Sequence, residues 1–448
     1  MAEALAAGTR RGYALGSVAT GTFGTVPGLL LLPYLTDSLG IAAVVAGFIV
    51  FVPKAWDVLL NPVVGRLSDR STSPGGRRRP FLLRGGLALA VCFALLFAGP
   101  TGPTFLAGAW VVFWFLACAT AYAFFQVPYV AMPAEMTLDY AERTRLMTWR
   151  VIVLALAILL SGATAPMVVN AFGGEETATG YRFMGVYVAA ILTVGVVGAW
   201  RGTRDAPEHR VETAGGSLRD QLRLVGASHD FRALLTTFVL QAVGVGAMLA
   251  GVAYVADDLL DSSAAATILF AAFVAPALLV TPLWERYADR RGKRSGYLIS
   301  SAFLVVGAAL LIVARQDLEA VVYAAAALVG IGYAGAQVFP MAMLPDVAAH
   351  DARTSGENRI GVFTGVWTAG ETLGLAIGPG LFALILAIGG YVSSTDHTAD
   401  QPDSALTAIA IGFSLVPAVL IAASVLFLRR YALDSTRTTT HPEGDRVD

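Results

Sequence analysis

Lys54, Asp57 and Asn61 lie within an apolar run that extends from Ile41 to about Val64, and they recur at i, i+3 and i+7. On a helix, that spacing stacks all three on one face. About 20 apolar residues suffice to cross the hydrocarbon core of a bilayer as a helix. A charged side chain at that depth costs about 2.5–3.5 kcal/mol, so it faces a bundle interior or a water-filled path instead of lipid. Two readings of this face stay open. Either Lys54 and Asp57 are a neutralised pair that fixes helix packing, or Asp57 is an ion or proton site with Lys54 as its electrostatic partner.

Glu371 is a second carboxylate inside an apolar run, with Thr372 next to it. It reads either as a charge partner of Lys54 or Arg150, or as a second proton site or substrate contact. Gln126, Gln241 and Gln337 can hydrogen-bond a substrate or simply join helices. Trp56, Trp149 and Trp367 are candidates for stacking on a ring. Chemistry that makes or breaks bonds has no comparable candidates. The five histidines (His209, His229, His350, His397 and His441) fall in loops or the tail, and there is no nucleotide-binding glycine loop. Cys92 and Cys118 sit in apolar runs and read as small buried hydrophobes. An enzyme, a metal site and a cofactor are therefore not expected.

The elements that must position these residues are membrane helices. Of the 448 residues, 56% are hydrophobic and 14% charged, against about 25% charged in soluble domains. A net charge of −1 offers nothing to nucleic acid. The first apolar run follows Arg10-Arg11 and continues to Leu32, so it reads as a retained helix and not as a cleaved signal. Twelve runs follow one another: Tyr13–Tyr34, Ile41–Val64, Pro80–Ala98, Thr104–Met132, Met147–Val169, Tyr181–Trp200, Leu234–Ala256, Ser263–Pro282, Tyr297–Ala314, Leu318–Leu344, Ile360–Gly390 and Leu406–Leu428. Arginine and lysine cluster after the second and eighth runs and at both ends. The opposite loops carry Asp37, Glu175, Glu176, Asp257, Asp258, Asp261, Asp396, Asp400 and Asp403. The bias predicts that both termini are cytoplasmic. A polar stretch divides six runs from six, giving bundles over 1–200 and 233–430, a linker over 201–232 and a tail over 431–448. Within the linker, Ser217–Val225 can form an amphipathic interfacial helix or a plain connector.

The halves repeat. From Pro62, Arg66, Asp69 and Arg70 lie at +4, +7 and +8, and from Pro282 so do Arg286, Asp289 and Arg290. Basic clusters follow both: Arg77-Arg78-Arg79, then Arg291, Lys293 and Arg294. From Gln126, Ala131, Met132 and Glu135 lie at +5, +6 and +9, matched by Ala342, Met343 and Asp346 from Gln337. Two coincidences after corresponding runs indicate a duplicated six-helix unit. The expected fold is an all-α membrane protein of twelve transmembrane helices in two pseudo-symmetric six-helix bundles.

Such a pattern resembles the major facilitator superfamily. Tyr34-Leu-Thr-Asp37-Ser-Leu-Gly40, Lys54-x-x-Asp57 and Asn61-Pro62-x-x-Gly65-x-x-x-Asp69-Arg70 resemble its glycoside–pentoside–hexuronide:cation symporter family, the melibiose permease-like proteins. So does Pro128-Tyr129-x-Ala131-Met132-x-x-Glu135-Met-Thr137-x-Asp139-Tyr-x-Glu142-Arg143-Thr-Arg145-Leu, followed by Arg150. The resemblance implies a coupling cation at Asp57, with Asn61 beside it. Sodium-coupled members have a second carboxylate at the position of Asn61, and here a lone buried carboxylate suits a proton better than sodium. The family's acidic sugar ligands fall on Gly21 and Gln126, and its eleventh-helix lysine is absent, whereas Arg150 is kept. The family's sugar ligands thus carry over poorly, and the candidate substrate residues are Lys54, Gln126, Arg150, Trp367, Glu371 and Thr372. Asp69, Arg70, Glu135, Arg143, Asp289 and Arg290, with Asp139 and Glu142, would latch the cytoplasmic side. The expected protein is a monomeric inner-membrane symporter, multi-pass in the bilayer, that moves a sugar or glycoside with a proton, or less readily a sodium ion. A lysolipid or organic-acid carrier is the alternative, and a channel or membrane enzyme a distant one.

Overall fold

The computed structural model describes residues 5–69, 71, 76–137, 140–173, 177–207, 223, 226–262, 264–316, 318–355, 360–393 and 400–433. The proposed interfacial helix lies largely outside them. Twelve helices long and apolar enough to cross a membrane are present among the described residues. The first six are α1 (Ala7–Pro33), α2 (Ala43–Asp69), α3 (Arg79–Leu96), α4 (Thr104–Met136), α5 (Tyr140–Gly173) and α6 (Thr177–Gly202). The second six are α7 (His229–Tyr254), α8 (Ala265–Arg291), α9 (Lys293–Leu310), α10 (Glu319–Ser355), α11 (Ile360–Gly389) and α12, in two pieces, Asp403–Phe413 and Leu415–Leu428. The all-α fold with twelve membrane helices is as expected.

Several helices outrun their apolar stretches. α5 starts at Tyr140, not Met147, and α10 ends at Ser355, not Leu344. Hydropathy marks the lipid-immersed part of a helix, whereas the backbone ladder continues into water. α12 is interrupted at Ser414 (φ −118°, ψ −76°), three residues before Pro417, whose ring cannot face the carbonyl four residues earlier. α1 ends in a π turn, Tyr34–Ser38, and α7 ends in the same way at Val255–Leu259. Asp37 therefore sits in a buried turn and not in a solvated loop; it is 5% exposed.

The duplication has a physical counterpart at the basic end of the molecule. Arg78 Nε forms an ion pair with Glu135 Oε1 at 2.7 Å, and Lys293 Nζ donates to Asp346 Oδ2 at 2.6 Å. The next residue in each half caps the chain beyond the last helix of that half. Arg79 donates to the Ala206 carbonyl (2.6 Å) and Arg294 to the Arg429 carbonyl (2.8 Å). Free carbonyls at helix C-termini favour such cations.

The halves meet through α1 with α7, α2 with α11 and α5 with α8. Three hydrogen bonds between described residues cross from one half to the other: Thr36 with Tyr254 (2.7 Å), Tyr391 to Asp37 (2.8 Å) and Thr267 to the Ala163 carbonyl (3.1 Å). All lie towards the acidic end. There Gly47 approaches Ala383 and Gly380 closely, and Gly162 leaves space for the Phe270 ring. Among the described residues, the contacts that join the halves gather at the acidic end.

Within the second half, α11 crosses α7 with almost no spacing. A Cβ on Gly378 would lie 2.6 Å from the Ala247 nitrogen and the Val243 oxygen, both backbone atoms that cannot step aside. Overpacking costs about 1–3 kcal/mol. Gly378→Val is expected to lower the melting temperature in detergent by several degrees. Gly365→Ala, on the same helix with nothing within 4 Å of its Cβ position, leaves it unchanged or slightly higher.

Candidate functional site

The interior face of α2 carries the first set of groups. Asp57 is 6% exposed. Lys54 Nζ stands 6.0 Å from the centre of the Phe23 ring on α1, at the limit of a cation–π contact. That ring tilts against Tyr122 on α4, with centroids 4.5 Å apart. Tyr122 is within electrostatic reach of Asp57, Arg150, Glu371 and Tyr129. The sequence reading had missed it, although it lies one helical turn before Gln126 on α4. Arg150 on α5 lies over the Tyr129 ring at 5.8 Å. Tyr129 is fixed by Ser17 (2.9 Å), by the Tyr13 carbonyl (2.9 Å) and by stacking on Tyr13 at 4.6 Å.

These charges interact through space without closing into contact ion pairs. Lys54 acts on Asp57, and Arg150 acts on Glu371. Asp57 Oδ1 and Asn61 Oδ1, one turn apart, are both buried without a hydrogen-bond partner among the described residues. Arg150 Nε and Trp367 Nε1 are in the same condition. A buried polar atom left unpaired costs about 1–3 kcal/mol. Asp57 and Asn61 present two such oxygens on one face of α2, whereas Trp367 Nε1 lies in the packed core of the second half.

In the second half, Glu371 borders a narrow cavity between α7, α10 and α11, together with Tyr333, Gln337 and Phe238. Gln337 donates to the Tyr333 hydroxyl at 2.6 Å. Gln241 borders the same cavity and is also held by bonds behind it. It donates to Ser301 (2.9 Å) and Ser424 (3.2 Å) and accepts from Tyr297 (3.0 Å), which ties three helices together. Trp367 is fully buried with its ring 4.4 Å from Phe238, packed in the half-molecule's core. It offers its indole edge, not an open face. Thr372 donates to the Thr368 carbonyl (3.0 Å). Trp56 and Trp149 are over two-fifths exposed, and Trp56 donates to Thr120 at 3.1 Å.

The ion pairs between described residues at the basic end each lie within one half. Glu135 is paired with Arg78 and lies 3.6 Å from Arg77; Glu142 lies 2.7 Å from Arg145 and 3.4 Å from Arg10. Arg290 is exposed. Arg70 and Asp139, and the side chains of Asp69, Arg143 and Asp289, lie outside the described residues.

Residues 12–435 match a family model described as MFS/sugar transport protein. The chain belongs to this family. The provisionally named glycoside/cation symporter YagG of Escherichia coli (strain K12) is 28% identical, over 95% of this chain and 92% of its own. The sodium-dependent lysophosphatidylcholine symporter 1 of Gallus gallus is 24% identical, over 95% and 86%. Among solved structures, a bacterial homologue of the human lysosomal transporter Spinster, inward-facing and occupied, superposes with a TM-score of 0.69. The two are 12% identical, and the match covers 95% of this chain and 94% of that one. That likeness concerns the fold. Together these findings make the chain a multi-pass membrane transporter of the major facilitator superfamily and not an enzyme, and they uphold the resemblance to the glycoside–pentoside–hexuronide:cation symporters.

The contrast between the glutamines is testable. Gln241→Leu strands Tyr297, Ser301 and Ser424, so the melting temperature should fall while the apparent affinity for substrate stays within twofold. Gln337→Leu, which breaks only one bond on the cavity wall, should leave the melting temperature close to that of the parent.

Proposed function

We propose that the protein is a proton-coupled symporter of a sugar or glycoside that works by alternating access, with its basic end in the cytoplasm. The observation that carries this is the pair of unpartnered oxygens, Asp57 Oδ1 and Asn61 Oδ1, one turn apart on the interior face of α2. They support a cation site whose only formal negative charge is Asp57. A hard cation such as sodium is best held by several oxygens, and one carboxylate with one amide is a thin set. A proton needs a single base. Lys54 lies within electrostatic reach of that base.

On this reading, the state described above is inward-open. Substrate would lie between Arg150 and Glu371, close to Tyr122, where both halves contribute charge. A single translocated charge is worth about 2.3 kcal/mol per 100 mV, sufficient for roughly fiftyfold accumulation. The family description favours sugars. A lysolipid remains the second reading, because positions Gly21 and Gln126 lack the acids of the sugar-binding relatives and one relative is named for lysophosphatidylcholine.

Substrate is to be found by thermal stabilisation across sugars, glycosides and lysophosphatidylcholine, since a ligand bound to the native state stabilises it by RT ln(1 + [L]/Kd). Uptake of the best ligand into proteoliposomes is then driven by one ion gradient at a time. An imposed proton gradient should drive accumulation, and a sodium gradient in the presence of an uncoupler should not. Asp57→Asn should abolish accumulation and preserve counterflow, which needs no net ion movement. Accumulation driven by sodium alone, or undiminished in Asp57→Asn, would overturn the proposal.

A further inference from the structure

α2 and α3 follow one another in the chain yet scarcely touch. α2 packs on α4 and α11, and α3 packs on α4 and α6. Where they part, a groove of about 620 Å³, within the 300–1,000 Å³ typical of ligand pockets, lies against α3 and α4, with Ser71 beyond the end of α2. Its lining is mostly apolar, with Ala88 and Cys92 on α3, Ala117 and Ala121 on α4, and the larger Phe81 and Phe124. The one hydroxyl in the floor, Thr120, is already used. It accepts from Trp56 (3.1 Å) and donates to the Leu116 carbonyl (2.9 Å). From Arg84 to Cys92, the groove runs eight residues along α3, or about 12 Å at the helical rise. That is most of one leaflet of a hydrocarbon core about 30 Å thick.

The mouth of the groove is different. Arg84 and Ser71 stand there, near the basic end of the molecule. Arg84 is exposed and has neither an ion pair nor a hydrogen bond among the described residues. Its neighbours Arg77, Arg78 and Arg79 are all engaged. Along the same stretch of α3, Leu87 and Val91 are exposed apolar side chains, 36% and 60% accessible, so this side of the bundle faces lipid. A greasy slot one leaflet deep, with a lone guanidinium and a hydroxyl at headgroup level, is complementary to one class of molecule. Basic pockets between membrane helices bind anionic headgroups in this manner.

We propose that this groove is a binding site for an anionic phospholipid, with one acyl chain on the α4 floor and the headgroup phosphate on Arg84 and Ser71. Arg84 supplies a bidentate donor fork for the phosphate. The site is separate from the cleft between the halves, so the proposal stands whatever substrate is carried.

Cys92 lies half-buried in the groove, and Cys118 is fully buried. The protein therefore carries its own reporter and its own control. The full chain is reconstituted in nanodiscs of phosphatidylcholine alone or with phosphatidylglycerol, and alkylation of Cys92 by N-ethylmaleimide is followed by intact mass. Phosphatidylglycerol should slow alkylation of Cys92 about fivefold, the weight of roughly one basic residue in contact with an anionic headgroup. Arg84→Gln should abolish the difference, and Arg84→Lys should keep most of it. Arg204→Gln, which removes an exposed arginine away from the groove, should keep all of it. Native mass spectrometry gives a second readout: Ala88→Trp, which fills the groove but retains Arg84, should lose one tightly held phosphatidylglycerol. Equal protection by both lipids, a difference that survives Arg84→Gln, or an equal loss in Arg204→Gln would each overturn the assignment.

Discussion

The cost of placing charge in hydrocarbon governs this structure. Lys54, Asp57, Arg150 and Glu371 lie on three membrane helices, and each would cost a few kcal/mol against lipid. Their placement on interior faces forces α2, α5 and α11 to border a cleft instead of a packed core. Aromatic rings take up part of that boundary: Phe23 beneath Lys54, Tyr129 beneath Arg150 and Tyr122 against Phe23. Rings of this kind offer a cation an attractive face without neutralising it. The charges stay available, held near one another but not spent on contact pairs.

The duplicated halves convert this arrangement into a device with two ends. At the acidic end, backbone approaches at Gly47 and Gly162 and the bonds from Thr36 and Asp37 hold the halves together. At the basic end, the corresponding strong contacts run inside each half, Arg78 with Glu135 and Lys293 with Asp346. Asymmetry between two similar ends is what rocking of one bundle against the other requires.

Much of this was legible in the residues alone. The twelve helices follow from runs of apolar residues, since the bilayer forces every backbone polar group into an internal bond. The i, i+3, i+7 stack of Lys54, Asp57 and Asn61 put them on one face before any coordinates. The weak echo of Glu135 in Asp346 proved to be a pair of equivalent ion pairs. Less was legible where side chains choose between neighbours. Trp367, read as a stacking platform, is buried against Phe238, and Gln241 is committed to three partners. Periodicity gives a residue's face but not its neighbours across helices. Tyr122 was missed because an aromatic residue in an apolar run carries no signal of the charges it will meet. The break in α12 at Ser414 and the π turns after α1 and α7 depend on local backbone competition that hydropathy does not register.

The central claim is that Asp57 carries the coupling proton, and infrared difference spectroscopy of the reconstituted protein tests it most directly. Stepping the pH should reveal a protonated-carboxyl band that disappears as the pH rises and is missing in Asp57→Asn at every pH. Adding sodium at constant pH should leave that band in place. A spectrum identical in Asp57→Asn, or a band displaced by sodium, would contradict the account.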